Sequence, residues 1–220
     1  MAEEAGEWKD QVIWDEKQQK IRAERVLNLG ALELQRQQLP RPSSDMVSEV
    51  LLTRLRESGL DLLPWDDRCE QLRRRLQLAH RRLGPPWPNR SRQRLQEVPE
   101  DWILEDWILE ASLSCSSWTE LESPTLQEAL WGSLSWPERR ELDRLLPERL
   151  TIPSGRNAPL HYSEEEVILA VKLQEMFGCA EGPVLLDGDL PVTLELLSPA
   201  GRPLQRLSLI HISEPTRQHW

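Results

Sequence analysis

Seventeen prolines punctuate these 220 residues, and with a charged fraction of 29% they restrict the chain to short elements joined by many connections. Pro40-Arg41-Pro42 closes one patterned stretch, Pro85-Pro86-Trp87-Pro88 a second, and Pro153-Ser154-Gly155 reads as a turn. At 39% hydrophobic the chain is not disordered and carries enough apolar material for one domain or two small ones. No apolar run approaches the roughly 18 residues that span a bilayer. The acidic start, Met1 to Glu7, lacks the basic, apolar and small-residue regions of a secretory signal, so the chain is read as cytoplasmic.

Periodicity predicts an α+β chain. Val12-Ile13-Trp14-Asp15, Lys20 to Val26 and Gly30 to Leu34 read as an antiparallel meander, too small to stand alone and better placed in a larger sheet. Ser43-Ser44-Asp45 offers a helix cap before the stripe Val47, Val50, Leu51 and Leu55, and Gly59 ends that helix. A second helix runs from about Asp66 to Leu83 with Leu72, Leu76, Ala79 and Leu83 inward, leaving Arg73, Arg74, Arg81 and Arg82 on its flanks and outer side. Asp101-Trp102-Ile103-Leu104-Glu105 is repeated at once as Asp106-Trp107-Ile108-Leu109-Glu110, either a helix buried on several sides or a copying stutter. Thr125 to Arg149 is helical with a break at Trp136-Pro137, and Leu150-Thr151-Ile152 returns through Leu160-His161-Tyr162. Ser163 and Glu166 read as a capping box opening a helix through Val167, Ala170, Val171 and Phe177 to Gly178. Val184-Leu185-Leu186 and Val192 to Leu197 flank Asp187-Gly188-Asp189 as a hairpin. Leu207 to Arg217 looks like the translation of a transposon-end sequencing adaptor, so residues 207–220 are expected to add nothing to the fold, and no site is placed on Ile210, His211, His219 or Trp220.

The net charge of −10 hides an asymmetry. Between Arg68 and Arg94 lie nine arginines and one acid, Glu70, a local net of +8 that leaves −18 for the rest. Guanidinium forks suit phosphate, which makes Arg73, Arg74, Arg75, Arg81, Arg82, Arg90 and Arg92 candidates for nucleic-acid contact. The bland alternatives are a solvated helix face, a dock for an acidic neighbour, or genomic base composition. Ten tryptophans beside one tyrosine and one phenylalanine could stack on unpaired bases, although core anchoring is the simpler use.

Catalytic patterns are missing. There is no Gly-x-x-x-x-Gly-Lys-Ser/Thr loop, Asp15-Glu16-Lys17 is not a metal-holding acidic box, and Pro153-Ser154-Gly155 lacks the surroundings of a nucleophile elbow. Cys69, Cys115 and Cys179 have no partner at metal-ligand spacing and read as free thiols. His80 and His161 lack an evident acid partner and read as surface or satisfied histidines; Glu164-Glu165-Glu166 suits a helix N-terminus.

Several stretches together resemble one family. Asp61-Leu62-Leu63-Pro64-Trp65, Gln71-Leu72-Arg73-Arg74-Arg75, Trp87-Pro88-Asn89 and Glu100-Asp101-Trp102 are similar to the region behind the motor of HrpB-type ATP-dependent helicases. So are Glu148 to Gly155, Ala170 to Gly178 and Leu196 to Gln205. Asn157-Ala158-Pro159 departs from the family's basic, strand-like residues, and its proline puts the second strand of that hairpin in question. The resemblance implies a superfamily 2 helicase of DEAH/RHA type. Residues 1–40 would end an OB-like accessory domain, 41–124 a helical linker region and 125–206 a truncated C-terminal domain, with no RecA-like motor. ATP and Mg would serve the parent enzyme, with no catalytic, cofactor or metal residue here. Its partners would be RNA or another single strand and the parent's motor domains, with no membrane. The rival reading is a freestanding protein-interaction module; an independent hydrolase has no motif behind it.

Overall fold

The computed structural model describes residues 6–63, 65–103, 123–177 and 182–207. They fall into two compact units, one of residues 1–72 and 89–132, the other of residues 73–88 and 133–220.

The first unit opens with β1 (Glu7–Asp15), β2 (Lys20–Leu29) and β3 (Leu32–Gln38), an antiparallel sheet in that order. Asp15 sets the first turn by accepting from the backbone N–H groups of Lys17 and Gln18 at 2.9 and 3.0 Å. Gly30, at φ +59°, makes the second. Val12, Ile21, Ala23 and Val26 are buried, while every residue of β3 is exposed. Helix α1 (Ser44–Ser58) packs against β1. Ser43 caps it, accepting from Met46 N, and Gly59 ends it at φ 84°. Its buried stripe is Val47, Leu51 and Leu55. Helix α2 (Asp67–Leu83) belongs to this unit through Leu72. Helix α3 (Arg92–Glu97), capped by Ser91, and a 3-10 turn at Pro99–Asp101 follow. Trp102 is buried and donates from its indole to Leu95 O at 2.8 Å, a core anchor. Beyond Ile103 the repeated segment lies outside the described residues. Helix α4 (Ser123–Trp131) closes the unit, stopped by Gly132 at φ +59°.

The second unit takes α2 from Arg73 onward, α5 (Trp136–Leu145) and a five-stranded sheet. The strands are β4 (Arg149–Thr151), β5 (Asn157–Tyr162), β6 (Val167–Lys172), β9 (Thr193–Leu197) and β10 (Pro203–Leu207), ordered β10-β9-β6-β5-β4. All pairs are antiparallel except β6 with β9. A ribbon of β7 (Val184–Leu185) and β8 (Leu190–Pro191) stands beside it. Leu76 and Ala79 of α2, Leu142 of α5 and Leu160, Val167, Leu169 and Val171 of the sheet are buried. The chain is α+β, and the described residues contain no doubly wound parallel sheet of RecA type.

Several expectations are corrected. Val167 to Lys172 is the central strand, not a helix: flanked by β5 and β9 it is buried on both faces, and such an apolar run carries no period to tell strand from helix. Ser163 closes the preceding turn, its Oγ accepting from Glu165 and Glu166 N and its N–H donating to Glu166 O. Trp136-Pro137 does not break a helix but starts α5, where a proline in the first turn loses no bond. The hairpin after Pro183 is β7–β8, and Thr193 onward joins the main sheet beside β6. Pro159 does not prevent β5: Leu160 N–H points to β4, donating to Glu148 O, so the donor Pro159 lacks would face β6, whose pairing begins only at Leu160. Leu207, expected to lie outside the fold, pairs with Leu194 at the end of β10.

Candidate nucleic-acid interface

The arginine-rich segment follows α2 and runs on through α3. In α2, Leu72, Leu76 and Ala79 are buried as the spacing predicts, while Leu83 is 44% exposed at the helix end. The surprise is on the flanks. Arg73 and Arg75 are each only 1% exposed, so the expectation that Arg73 points outward is corrected.

Arg75 is held in three directions. Its Nε donates to Leu146 O at 2.8 Å, Nη1 to Glu148 at 3.1 Å and Nη2 to Asp143. Its guanidinium also lies 6.0 Å from the centroid of the Tyr162 ring. Tyr162 donates from its hydroxyl to Pro147 O at 2.6 Å, and burial keeps that hydroxyl protonated by raising its pKa. Arg75 thus ties α2 to the α5–β4 connection. Arg73 pairs with Glu164, Arg74 donates to Tyr162 O at 2.9 Å, and Arg81 donates to Glu164 O at 2.8 Å. The Glu164-Glu165-Glu166 run is therefore no helix N-terminus: Glu164 is a counter-charge for α2, while Glu166 accepts from Thr193 Oγ1 at 2.7 Å and pairs with Arg206.

In the first unit Arg90 is buried, donating from Nε to Leu130 O at 2.8 Å. Burial pulls its pKa down to about 10, with Asp101 opposing, and leaves it charged at neutral pH. Arg92 is half exposed, lies 5.9 Å from the centroid of the Trp65 ring and sits 3.4 Å from Asp61 and 3.6 Å from Glu70. Arg94 pairs with Asp101.

Of the seven candidates, Arg73, Arg75 and Arg90 are thus enclosed by protein, and a phosphate could reach them only by displacing those partners. Arg74 is half-buried; Arg81, Arg82 and Arg92 are exposed. The acids that pair with the enclosed Arg73 and Arg75 lie 68 to 91 residues further on, at Asp143, Glu148 and Glu164, and no local pattern marks them. His80 donates from Nδ1 to Trp87 O at 2.8 Å, since a carbonyl can only accept, and so ties down the proline segment. Cys69 is buried; Cys115 and Cys179 lie outside the described residues. Among the described residues no group of three or more His, Cys, Asp or Glu is placed to hold a metal ion, and no helix is long and apolar enough to cross a membrane.

Two family models match. Residues 7–39 match the connector region of the ATP-dependent RNA helicase HrpB, and residues 107–210 match an ATP-dependent helicase C-terminal domain. The chain belongs to the HrpB-type ATP-dependent helicases, as their C-terminal region. It is 38% identical over 198 residues to the ATP-dependent RNA helicase HrpB of Escherichia coli strain K12, an alignment covering 89% of this chain and 24% of that protein. Two crystal structures are similar. The E. coli DExH-box NTPase HrpB gives a TM-score of 0.68 at 36% identity, covering 92% of this chain and 25% of its own. The E. coli DEAH/RHA helicase HrpB gives 0.65 at 35%, covering 91% and 25%. The chain thus spans about a quarter of the HrpB relatives it matches, and it corresponds to an accessory part of such a helicase. The HrpB C-terminal match runs to residue 210, three residues past Leu207.

Proposed function

We propose that this region guides a single strand of RNA for the helicase and packs on its motor, while ATP and Mg are bound elsewhere in the full-length enzyme. The observation that carries the first part is the pair Arg81 and Arg82, both exposed at the last turn of α2. They stand on a helix whose inner arginines are fixed by carboxylates, and although Arg81 donates from Nη1 to Glu164 O, both side chains remain exposed. Backbone contacts of this type neutralise phosphate and carry little sequence information. Packing on the motor is supported by Trp136 and Phe177 of the second unit, 71% and 69% exposed, which are large apolar groups for a surface. Placing ATP elsewhere is supported by the sequence, which has no glycine-rich phosphate loop.

The test is titration of fluorescent oligouridylate with the 220-residue chain at several salt concentrations, with phosphate release measured in parallel. The expected result is binding that weakens as salt rises, because phosphate neutralisation releases counterions, and no ATP turnover. Salt-independent binding, or no binding at low salt, overturns the reading in favour of a protein-interaction module.

A further inference from the structure

Between β1 and α1, inside the first unit, lies a cleft of about 420 Å³. Helix α1 turns Val47, Leu51 and Leu55 inward, and its neighbouring stripe of Met46, Val50 and Thr53 is left facing Val12 and Trp14 of β1. That gives an apolar floor with an aromatic wall. The rim is acidic: Glu16, Glu49 and Glu57 are exposed and line it, against Arg54 as the one lining cation.

The geometry of Arg54 is unusual. Its guanidinium lies over the Trp14 ring, 5.8 Å from the centroid, and its Nη2 is tethered to Glu16 at 2.7 Å. Trp14 Nε1 and Arg54 Nε are both shielded from solvent, and neither has an acceptor. Buried donors in folded proteins are paired almost without exception, and one left unpaired costs free energy that an incoming acceptor recovers. Two such donors in one cleft mark a place where an acceptor is missing. The three rim carboxylates decide what else the incoming group carries: they repel phosphate and attract a cation.

We propose that this cleft docks a basic segment of a protein partner. The aliphatic stem of a lysine or arginine lies on Met46, Val50 and Trp14, and its charged head reaches Glu49 and Glu57. A backbone carbonyl of the segment accepts from Trp14 Nε1–H once Arg54 moves off the ring. The site is separate from the RNA reading, because its charge is of the opposite sign.

The test is titration of the 15N-labelled chain with an alternating leucine–lysine peptide, following the Trp14 indole N–H resonance, assigned by its loss in Trp14→Phe. The comparison probes are the same peptide with glutamate for lysine, and an oligouridylate. The expected result is a saturable shift with the basic peptide alone and affinity at least tenfold weaker in Glu49→Gln/Glu57→Gln. Both substitutions are at exposed positions, and circular dichroism confirms that the variant is folded. A Trp14 resonance unmoved by millimolar basic peptide overturns the proposal. So does an equal response to the acidic peptide or the oligonucleotide, or unchanged affinity in the folded double variant.

Discussion

Arg75 and Arg90 place guanidinium groups at interior positions, Arg75 donating to Leu146 O, Glu148 and Asp143 and Arg90 to the carbonyls of Leu130 and Ala129. Replacing Arg75 by leucine removes the donor to Leu146 O and the face over Tyr162, while Asp143 and Glu148, 60% and 75% exposed, return to water. The expected loss is about 2 kcal/mol by urea denaturation, the size of a lost charged hydrogen bond with a buried acceptor. Arg144→Leu removes only surface pairs, to Glu141 and Asp187, and should leave the midpoint where it is. Gly132 gives a second residue-scale test. It sits at φ +59°, and a Cβ there would meet Arg90 Nη2 at 2.5 Å. Gly30 has the same φ and nothing within 4 Å. Gly30→Ala should therefore cost only the left-handed backbone penalty of about 1 kcal/mol, and Gly132→Ala about 2 kcal/mol or more, because Arg90 must also leave its carbonyls. Equal losses would show that Arg90 is not locked in place.

At the scale of elements, the helices carrying a cap and a stop were legible: Ser43 and Gly59 bound α1 where the pattern places them, and the β1-β2-β3 meander forms in the expected order, although the alternation read at Leu32 and Leu34 buries neither. What could not be read was β6, since a strand buried on both faces has no alternation to show, and the pairing of α2 arginines with acids far along the chain. The nucleic-acid candidates were legible as a cluster but not as a surface, because enclosure of Arg73 and Arg75 depends on a sheet assembled from distant residues. The start of α5 was also misread, and its capping gives a test. Glu138 accepts from Ser135 N at 2.6 Å and from Ser135 Oγ at 2.7 Å, and the Ser135 bonds lower its pKa below the ordinary 4.5. A carboxyl with a depressed folded-state pKa adds stability that is fully present above the unfolded value and is lost as pH falls through the folded one. Ser135→Ala removes the Oγ donor to Glu138 and should flatten the fall in stability below about pH 4.5, read from denaturation midpoints across pH 3 to 7. An unchanged acid limb would assign that dependence to other carboxylates.

For the whole molecule, four arginines of α2 form two contrasting pairs, Arg73 and Arg75 enclosed within the second unit and Arg81 and Arg82 exposed at the helix end, and the two roles can be separated by experiment. Arg81→Gln/Arg82→Gln should leave thermal stability nearly unchanged, because glutamine and arginine have similar helix propensity and both positions are exposed. If these side chains meet phosphate, the variant should bind oligouridylate and oligoadenylate more weakly by a similar factor, and the salt slope should flatten by about 0.7 for each phosphate of a single strand that is no longer neutralised. Arg73→Gln/Arg75→Gln should behave in the opposite way, lowering stability by about 2 kcal/mol or more, because Leu146 O loses its charged donor and two enclosed side-chain sites are refilled by a shorter group, while the exposed carboxylates return to water. At a temperature where that variant is still folded, its salt slope should match the wild type. A salt slope that falls with the inner pair and not with the outer would mean that the strand displaces Glu164 and the other carboxylates to reach the core arginines. The acids of the second unit would then be competitors of RNA and not fixed parts of the fold.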